Sequence, residues 1–268
     1  MLKERVTSAV LGLILLILII YAGTIPFLIF LAILAVLAGR EFVDFFNYKL
    51  KFDKYIIPVF SFFSIILFYR AFNYNMIEDL LFFMLIAIIS IFAINIKTSG
   101  FDNILNNVGN RLFCLFYIGG GLSFLVLLKE TNNSLFNNNQ ALWLVLLVAW
   151  ATDIGAYFIG IKFGKRPLAP VISPNKSVIG AVGGVSFAII VIILYSIFLN
   201  NFSLWIIPVT IVLSLSAIFG DLIESALKRD ADIKDSGEIL PGHGGILDRF
   251  DSLLLVAPVA FLLIHYIL

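Results

Sequence analysis

Charge is what this chain of 268 residues has least of, with only 13% Asp, Glu, Lys and Arg. A soluble domain carries about 25%, so too little charge is present to coat one of this size. Cysteine is nearly absent as well: Cys114 stands alone, which excludes a disulfide scaffold. A disordered chain is excluded by a 61% hydrophobic content and a mean hydropathy of +1.07. The net charge of +1 offers no global basic field for nucleic acid. No Pro- or Ser-rich linker and no internal repeat is visible, although an inverted-repeat transporter would be expected to show one. What remains is an all-α polytopic membrane protein, read as one integral membrane domain over 1–268. Its N-terminal spans occupy roughly 1–128, and its site-bearing spans and loops roughly 141–268.

A helix crossing about 30 Å of hydrocarbon needs about 20 mostly apolar residues. That ruler predicts nine spans, near Val6–Tyr21, Ile25–Ala38, Tyr55–Phe72, Leu80–Ile96, Leu112–Leu128, Ala141–Phe163, Val178–Leu199, Leu204–Glu224 and Ser252–Leu268. The first has no convincing small-residue cleavage site and runs into more apolar sequence, so it does not read as a signal peptide. With the N-terminus in the cytoplasm, sixteen of the 18 basic residues fall inside and only Arg70 and Lys129 outside. A wrong span count would flip every later loop and destroy that asymmetry. The outer loops hold asparagines such as Asn132, Asn133 and the Asn200-Asn201 pair, which carry no chemistry. The reactive face is therefore expected at the cytoplasmic side.

The scarce acids are unevenly placed: eight of the 17 lie between Asp221 and Asp251. Spacings of three and four put Asp221, Glu224 and Ser225 on one helical face. A carboxylate at membrane depth is costly and marks a partner, a cation or a wet cavity. Further on, Pro241-Gly242-His243-Gly244-Gly245 can adopt positive φ and allows close approach to the backbone. His243, between glycines, lacks the surrounding bulk of a core histidine. Asp248 and Asp251, three apart at the start of the last span, can hold a divalent cation through oxygen. Lys228, Arg229, Lys234 and Arg249 supply cations suited to a polyphosphate. Acids for a metal, bases for phosphate and glycines for close approach point to metal-assisted chemistry on a phosphorylated substrate at a membrane. A solvated loop whose cations only fix topology is the plainer reading for Asp230, Asp232 and Glu238. Asp153, in the sixth span, is a second membrane-embedded carboxylate, beside a small-residue packing stripe of Gly155, Ala156 and Gly160.

The stretch Ser225-x-x-Lys228-Arg229, Lys234-Asp235, then Pro241-x-His243-Gly244-Gly245-x-x-Asp248-Arg249-x-Asp251 closely resembles the signature of the phosphatidate cytidylyltransferases, or CDP-diacylglycerol synthases. It extends over 27 residues. Asp153-x-x-Ala156-Tyr157-x-x-Gly160-x-x-Phe163-Gly164-Lys165 looks like the family's sixth-span pattern. The next loop departs from it. Asn175, Ser177 and Ile179 stand where the family commonly has a lysine, a threonine and a glutamate, while Ser173, Lys176 and Gly180 fit. No string of the kind used by enzymes that consume CDP-diacylglycerol occurs.

The resemblance implies that CTP and phosphatidic acid give CDP-diacylglycerol and pyrophosphate in phospholipid biosynthesis. It implies Mg²⁺, allows a second cation such as K⁺, places the enzyme in the cytoplasmic membrane, and is in keeping with a homodimer. On this reading Asp221 and Asp248 are the primary metal ligands, with Asp251 and Asp153 close by. Lys228, Arg229, Lys234 and Arg249 hold the triphosphate and lipid phosphate. His243, Gly244 and Gly245 shape the nucleotide pocket, Ser225 bridges metal and phosphate, and Ser173, Lys176 and Asp235 contact substrate. The rivals are a cation-coupled transporter using Asp153, Asp221 and Glu224, and a silent relative acting as a scaffold.

Overall fold

The computed structural model describes residues 2–45, 53–100, 103–133, 135–137, 139–237 and 244–266. Its elements are α1 (Leu2–Tyr21), α2 (Thr24–Phe45), α3 (Asp53–Asn73), α4 (Ile77–Ser99), α5 (Ile104–Cys114), a π-turn (Leu115–Gly120) and α6 (Gly121–Glu130). There follow α7 (Gln140–Phe163), β1 (Pro167–Ala169), β2 (Ser173–Ser177), α8 (Val178–Phe198), α9 (Ile206–Asp230) and α10 (Leu247–Tyr266). The expected all-α membrane architecture is what forms, with one addition. Between the sixth and seventh expected spans, β1 and β2 pair as an antiparallel hairpin, Pro167 opposite Ser177 and Ala169 opposite Ser173.

Among the described residues, seven helical stretches are long and apolar enough to cross a membrane: Thr24–Asp44, Lys54–Asn73, Ile77–Thr98, Ile104–Glu130, Gln140–Phe163, Val178–Phe198 and Ile206–Asp230. The remaining two expected spans are helical too. α1 contributes the shorter apolar run Thr7–Tyr21, and α10 begins with Asp248, Arg249 and Asp251.

Several helices outrun their expected limits, α9 continuing past Glu224 to Asp230 and α10 starting at Leu247 ahead of Ser252, and two other spans, the second and the fifth, do so for the same physical reason. The second was expected to stop at Ala38, ahead of Arg40 and Glu41, yet α2 continues to Phe45. Glu41 is 3% exposed and fully engaged by backbone donors, so its charge does not end the helix. The fifth was expected to begin at Leu112, after Arg111, yet the helix starts at Ile104. Arg111 is buried and donates from Nη1 to Asn95 Oδ1 at 2.9 Å. A charged group whose hydrogen bonds are met inside the protein does not need the interface.

The chain forms two compact units, Met1–Leu127 with Asp235–Asp248, and Leu128–Lys234 with Arg249–Leu268. In the first, Phe27, Leu31, Phe42, Ile57, Ile65, Ile118 and Leu122 are buried core. The π-turn there carries Gly119, where any side chain would collide with Ser64, so the bulge and the glycine belong together. In the second, α7 and α8 pack through small residues, as the stripe predicted. An added Cβ would lie 2.9 Å from the Gly183 carbonyl at Gly155, and 2.6 Å from the Thr152 carbonyl at Gly184. Ser177 ends the hairpin and caps α8, its Oγ accepting from the Gly180 N–H at 3.1 Å.

Candidate functional site

The second unit gathers the acids. Gly220 on α9 meets the backbone of α10, and a Cβ there would lie 2.7 Å from the Asp251 carbonyl and 3.1 Å from Ser252 Cα. That approach brings α9 carboxylates against the first turns of α10. One oxygen each of Asp221, Glu224 and Asp251 lie within 4.8 Å of one another. Ser225 Oγ donates to Asp221 Oδ1 at 3.4 Å, and Asp251 Oδ1 accepts the Ser252 N–H at 2.6 Å. Asp221 pairs with Lys176 of β2, and Glu224, 1% exposed, pairs with Lys228 one turn on at 2.6 Å. Three clustered carboxylate oxygens are the donor set of a hard divalent cation, and two lysines alongside are suited to phosphate.

A cavity of about 440 Å³ opens beside this cluster. Asp153, Lys176 and Asp221 give it polar walls, while Tyr157, Ile161 and Ile218 are apolar. Ser173 and Asn175 of the hairpin also line it. Thr152 is fully buried on α7, and its Oγ1 has no partner among the described residues. The departure at position 175 is therefore at the cavity. Ile179 does not line it, and is 45% exposed in the first turn of α8.

The glycine-rich segment lies in the first unit. Gly244 adopts φ +81°, as a close turn requires, and a Cβ there would stand 2.9 Å from Asp248 Oδ2. Asp248 Oδ2 accepts the N–H groups of Gly245 at 2.9 Å and Ser236 at 3.1 Å. Asp248, expected as a primary metal ligand, thus organises the turn that precedes α10. His243 lies outside the described residues. Lys234, Asp235 and Arg249 are exposed. Arg229 donates from Nε to the Ile172 carbonyl at 3.3 Å and from Nη1 to the Ile233 carbonyl at 3.1 Å, joining the end of α9 to the hairpin loop.

Glu224 is the acid expected on the face shared by Asp221 and Ser225, whereas three further contributors, Gly220, Thr152 and Glu41, are not among the expected site residues. Gly220 carried a signal, a glycine directly before an acid in an apolar helix. Thr152 is one residue from Asp153 and looks like ordinary helix filling. Glu41 lies just past the expected end of the second span at Ala38.

The sequence profile of the Cytidylyltransferase family matches residues 3–267. The chain is 33% identical over 270 residues to a phosphatidate cytidylyltransferase of Bacillus subtilis, covering 98% of this chain and 97% of that one. It is 34% identical over 267 residues to that of Staphylococcus aureus strain COL, covering 98% of each. With a protein of the same name from Staphylococcus saprophyticus, identity is 46% over 155 residues, 57% of this chain and 58% of that one.

Proposed function

Since the chain belongs to the cytidylyltransferase family, we propose that it transfers the cytidylyl group of CTP to phosphatidic acid, forming CDP-diacylglycerol and releasing pyrophosphate. The observation that carries this reading is the set of three carboxylates and two lysines beside a mostly apolar cavity that has a charged patch at Asp153, Lys176 and Asp221. A lipid phosphate needs such a place, with cations at one end and apolar walls at the other.

A phosphate monoester has a second pKa of about 6, so the attacking oxygen of phosphatidic acid is mostly ionised at neutral pH. It attacks the α-phosphorus of CTP in line, a new P–O bond forms, and the bond to the β-phosphate breaks. No histidine base and no covalent intermediate are needed. The barrier lies in bringing two anions together and in stabilising the leaving pyrophosphate. Lys176 and Lys228, with Arg229, Lys234 and Arg249, lower that repulsion. Asp221 and Asp251, with Glu224 beside them and Asp248 one turn earlier on α10, are the acids that would hold Mg²⁺. Bound there, Mg²⁺ supplies positive charge to the phosphate oxygens, and a second cation such as K⁺ has carboxylates to spare. Asp153 and Ser173 position substrate at the cavity, while Ser225, Asp235, His243, Gly244 and Gly245 are kept as substrate-binding residues on the strength of the sequence motif.

The same reading places a nine-span homodimer in the cytoplasmic membrane, with the N-terminus and the site on the cytoplasmic side. Purified full-length protein with labelled CTP, phosphatidic acid and Mg²⁺ is expected to yield a lipid-soluble labelled product. No such product at saturating concentrations of all three would overturn the proposal.

A further inference from the structure

A buried carboxylate in the first unit belongs to none of the motifs. Glu41, on α2, is 3% exposed. Its Oε1 accepts the Ile246 N–H at 2.8 Å, and its Oε2 accepts the Leu247 N–H at 2.9 Å and the Ser236 hydroxyl at 3.2 Å. Ser236 and Leu247 stand on the two sides of the glycine-rich segment, so one side chain grips both. The packing around it is close. A Cβ at Gly237 would come within 2.9 Å of Glu41 Oε1, and one at Gly245 within 2.8 Å of Oε2 and into the Ser236 hydroxyl. Glycine at 237 and at 245 is therefore needed to admit this carboxylate.

Glu41 and Asp248 divide the donors of the turn between them. Asp248 Oδ2 takes the N–H groups of Ser236 and Gly245, and Glu41 takes those of Ile246 and Leu247 together with the Ser236 hydroxyl. All four amides that converge on this point thus end on a carboxylate. Both Asp248 contacts are also made by residues that Glu41 holds or adjoins: Ser236 is held directly, and Gly245 precedes Ile246. Hydrogen bonds of this kind to the supporting shell set the orientation of a functional carboxylate.

We infer that Glu41 is the positioning residue of the glycine turn: it fixes Ser236 and the Ile246–Leu247 amides, and through them the orientation of Asp248. Its catalytic consequence rests on the function proposed above. A glutamine at 41 keeps the shape but turns an NH₂ group toward at least one backbone N–H, so one oxygen's contacts are lost.

The test uses the full-length protein in detergent, with Glu41→Gln and Ser236→Ala. Hydrogen exchange is measured over 244–250 and over the α7–α8 region, alongside turnover of labelled CTP as Mg²⁺ is varied. Glu41→Gln is expected to speed exchange at 244–250 while α7 and α8 stay protected. Turnover should fall about 10–100-fold, with a raised half-saturating Mg²⁺ and an unchanged KM for phosphatidic acid. Ser236→Ala, which removes one of the three Glu41 contacts, should move the same readouts less. Unchanged exchange at 244–250 in Glu41→Gln, or faster exchange spread evenly over the protein, would overturn the positioning role. A wild type with no turnover overturns the proposed function instead, and the exchange data still decide the role of Glu41.

Discussion

Gly220 and Asp251 touch backbone to backbone: a methyl group on Gly220 would come within 2.7 Å of the Asp251 carbonyl oxygen. The three-carboxylate cluster depends on that contact, because Asp221 and Glu224 follow Gly220 on α9 while Asp251 sits in the first turns of α10. A backbone carbonyl cannot swing aside as a side chain can, so anything larger than hydrogen at position 220 pushes the helices apart.

Gly220→Ala is accordingly expected to cost about 1–3 kcal/mol of stability. Cytidylyl transfer should fall by about 100-fold through misplacement of the acids. Gly12→Ala, where an added Cβ meets nothing within 4 Å, is the matched control and should leave both unchanged. Melting in detergent and product formation from labelled CTP check the pair.

Lys228 pairs with a Glu224 carboxylate that is only 1% exposed. Removing one member of a buried ion pair costs about 3–5 kcal/mol, whereas neutralising both costs far less. Lys228→Met should therefore lower the melting temperature markedly, and Lys228→Met with Glu224→Gln should recover most of it. Activity should stay low in the double variant, since both groups face the proposed phosphate and metal chemistry.

Asp221→Asn and Asp251→Asn each remove a charged oxygen donor from the cluster while keeping shape. Turnover at saturating Mg²⁺ is expected to drop by at least about 100-fold in each, with the protein still folded. Near-normal turnover in either variant would remove that residue from the metal set.

Gly244 combines φ +81° with contact to Asp248 Oδ2. Gly244→Ala should cost about 1–2 kcal/mol in backbone strain and displace that carboxylate. Loss of turnover without loss of melting temperature at Gly109→Ala, a glycine with nothing within 4 Å, would argue against this local account.

The parts of the fold set by hydrophobic length were readable from the sequence, and so was the acid-rich motif. The Gly155 stripe was legible as packing, and the structure sets carboxylate oxygens of Asp221 and Asp251 within 4.8 Å of each other. Apolar length alone stopped the second expected span short of Glu41 and started the fifth after Arg111, and both helices extend past those limits. In both cases the side chain finds its partners inside the protein, and those partners are distant in sequence: Ile246 and Leu247 for Glu41, Asn95 for Arg111. Spacing along α9 placed Glu224 on the face of Asp221, and the structure adds Asp251 of α10 to that pair. Which acid turns toward which depends on the meeting of α9 and α10 at Gly220, and no periodicity encodes it. The β1–β2 hairpin is three and five residues long, too short for alternation to reveal.

Lys176 and Lys228 each already hold a carboxylate, those of Asp221 and Glu224. An incoming triphosphate has to draw a lysine away from its acid, and the acid it releases then wants a positive partner. Arrival of the anion and arrival of the cation are thereby linked, each making room for the other. The triphosphate and a divalent cation should therefore each bind more tightly in the presence of the other than alone.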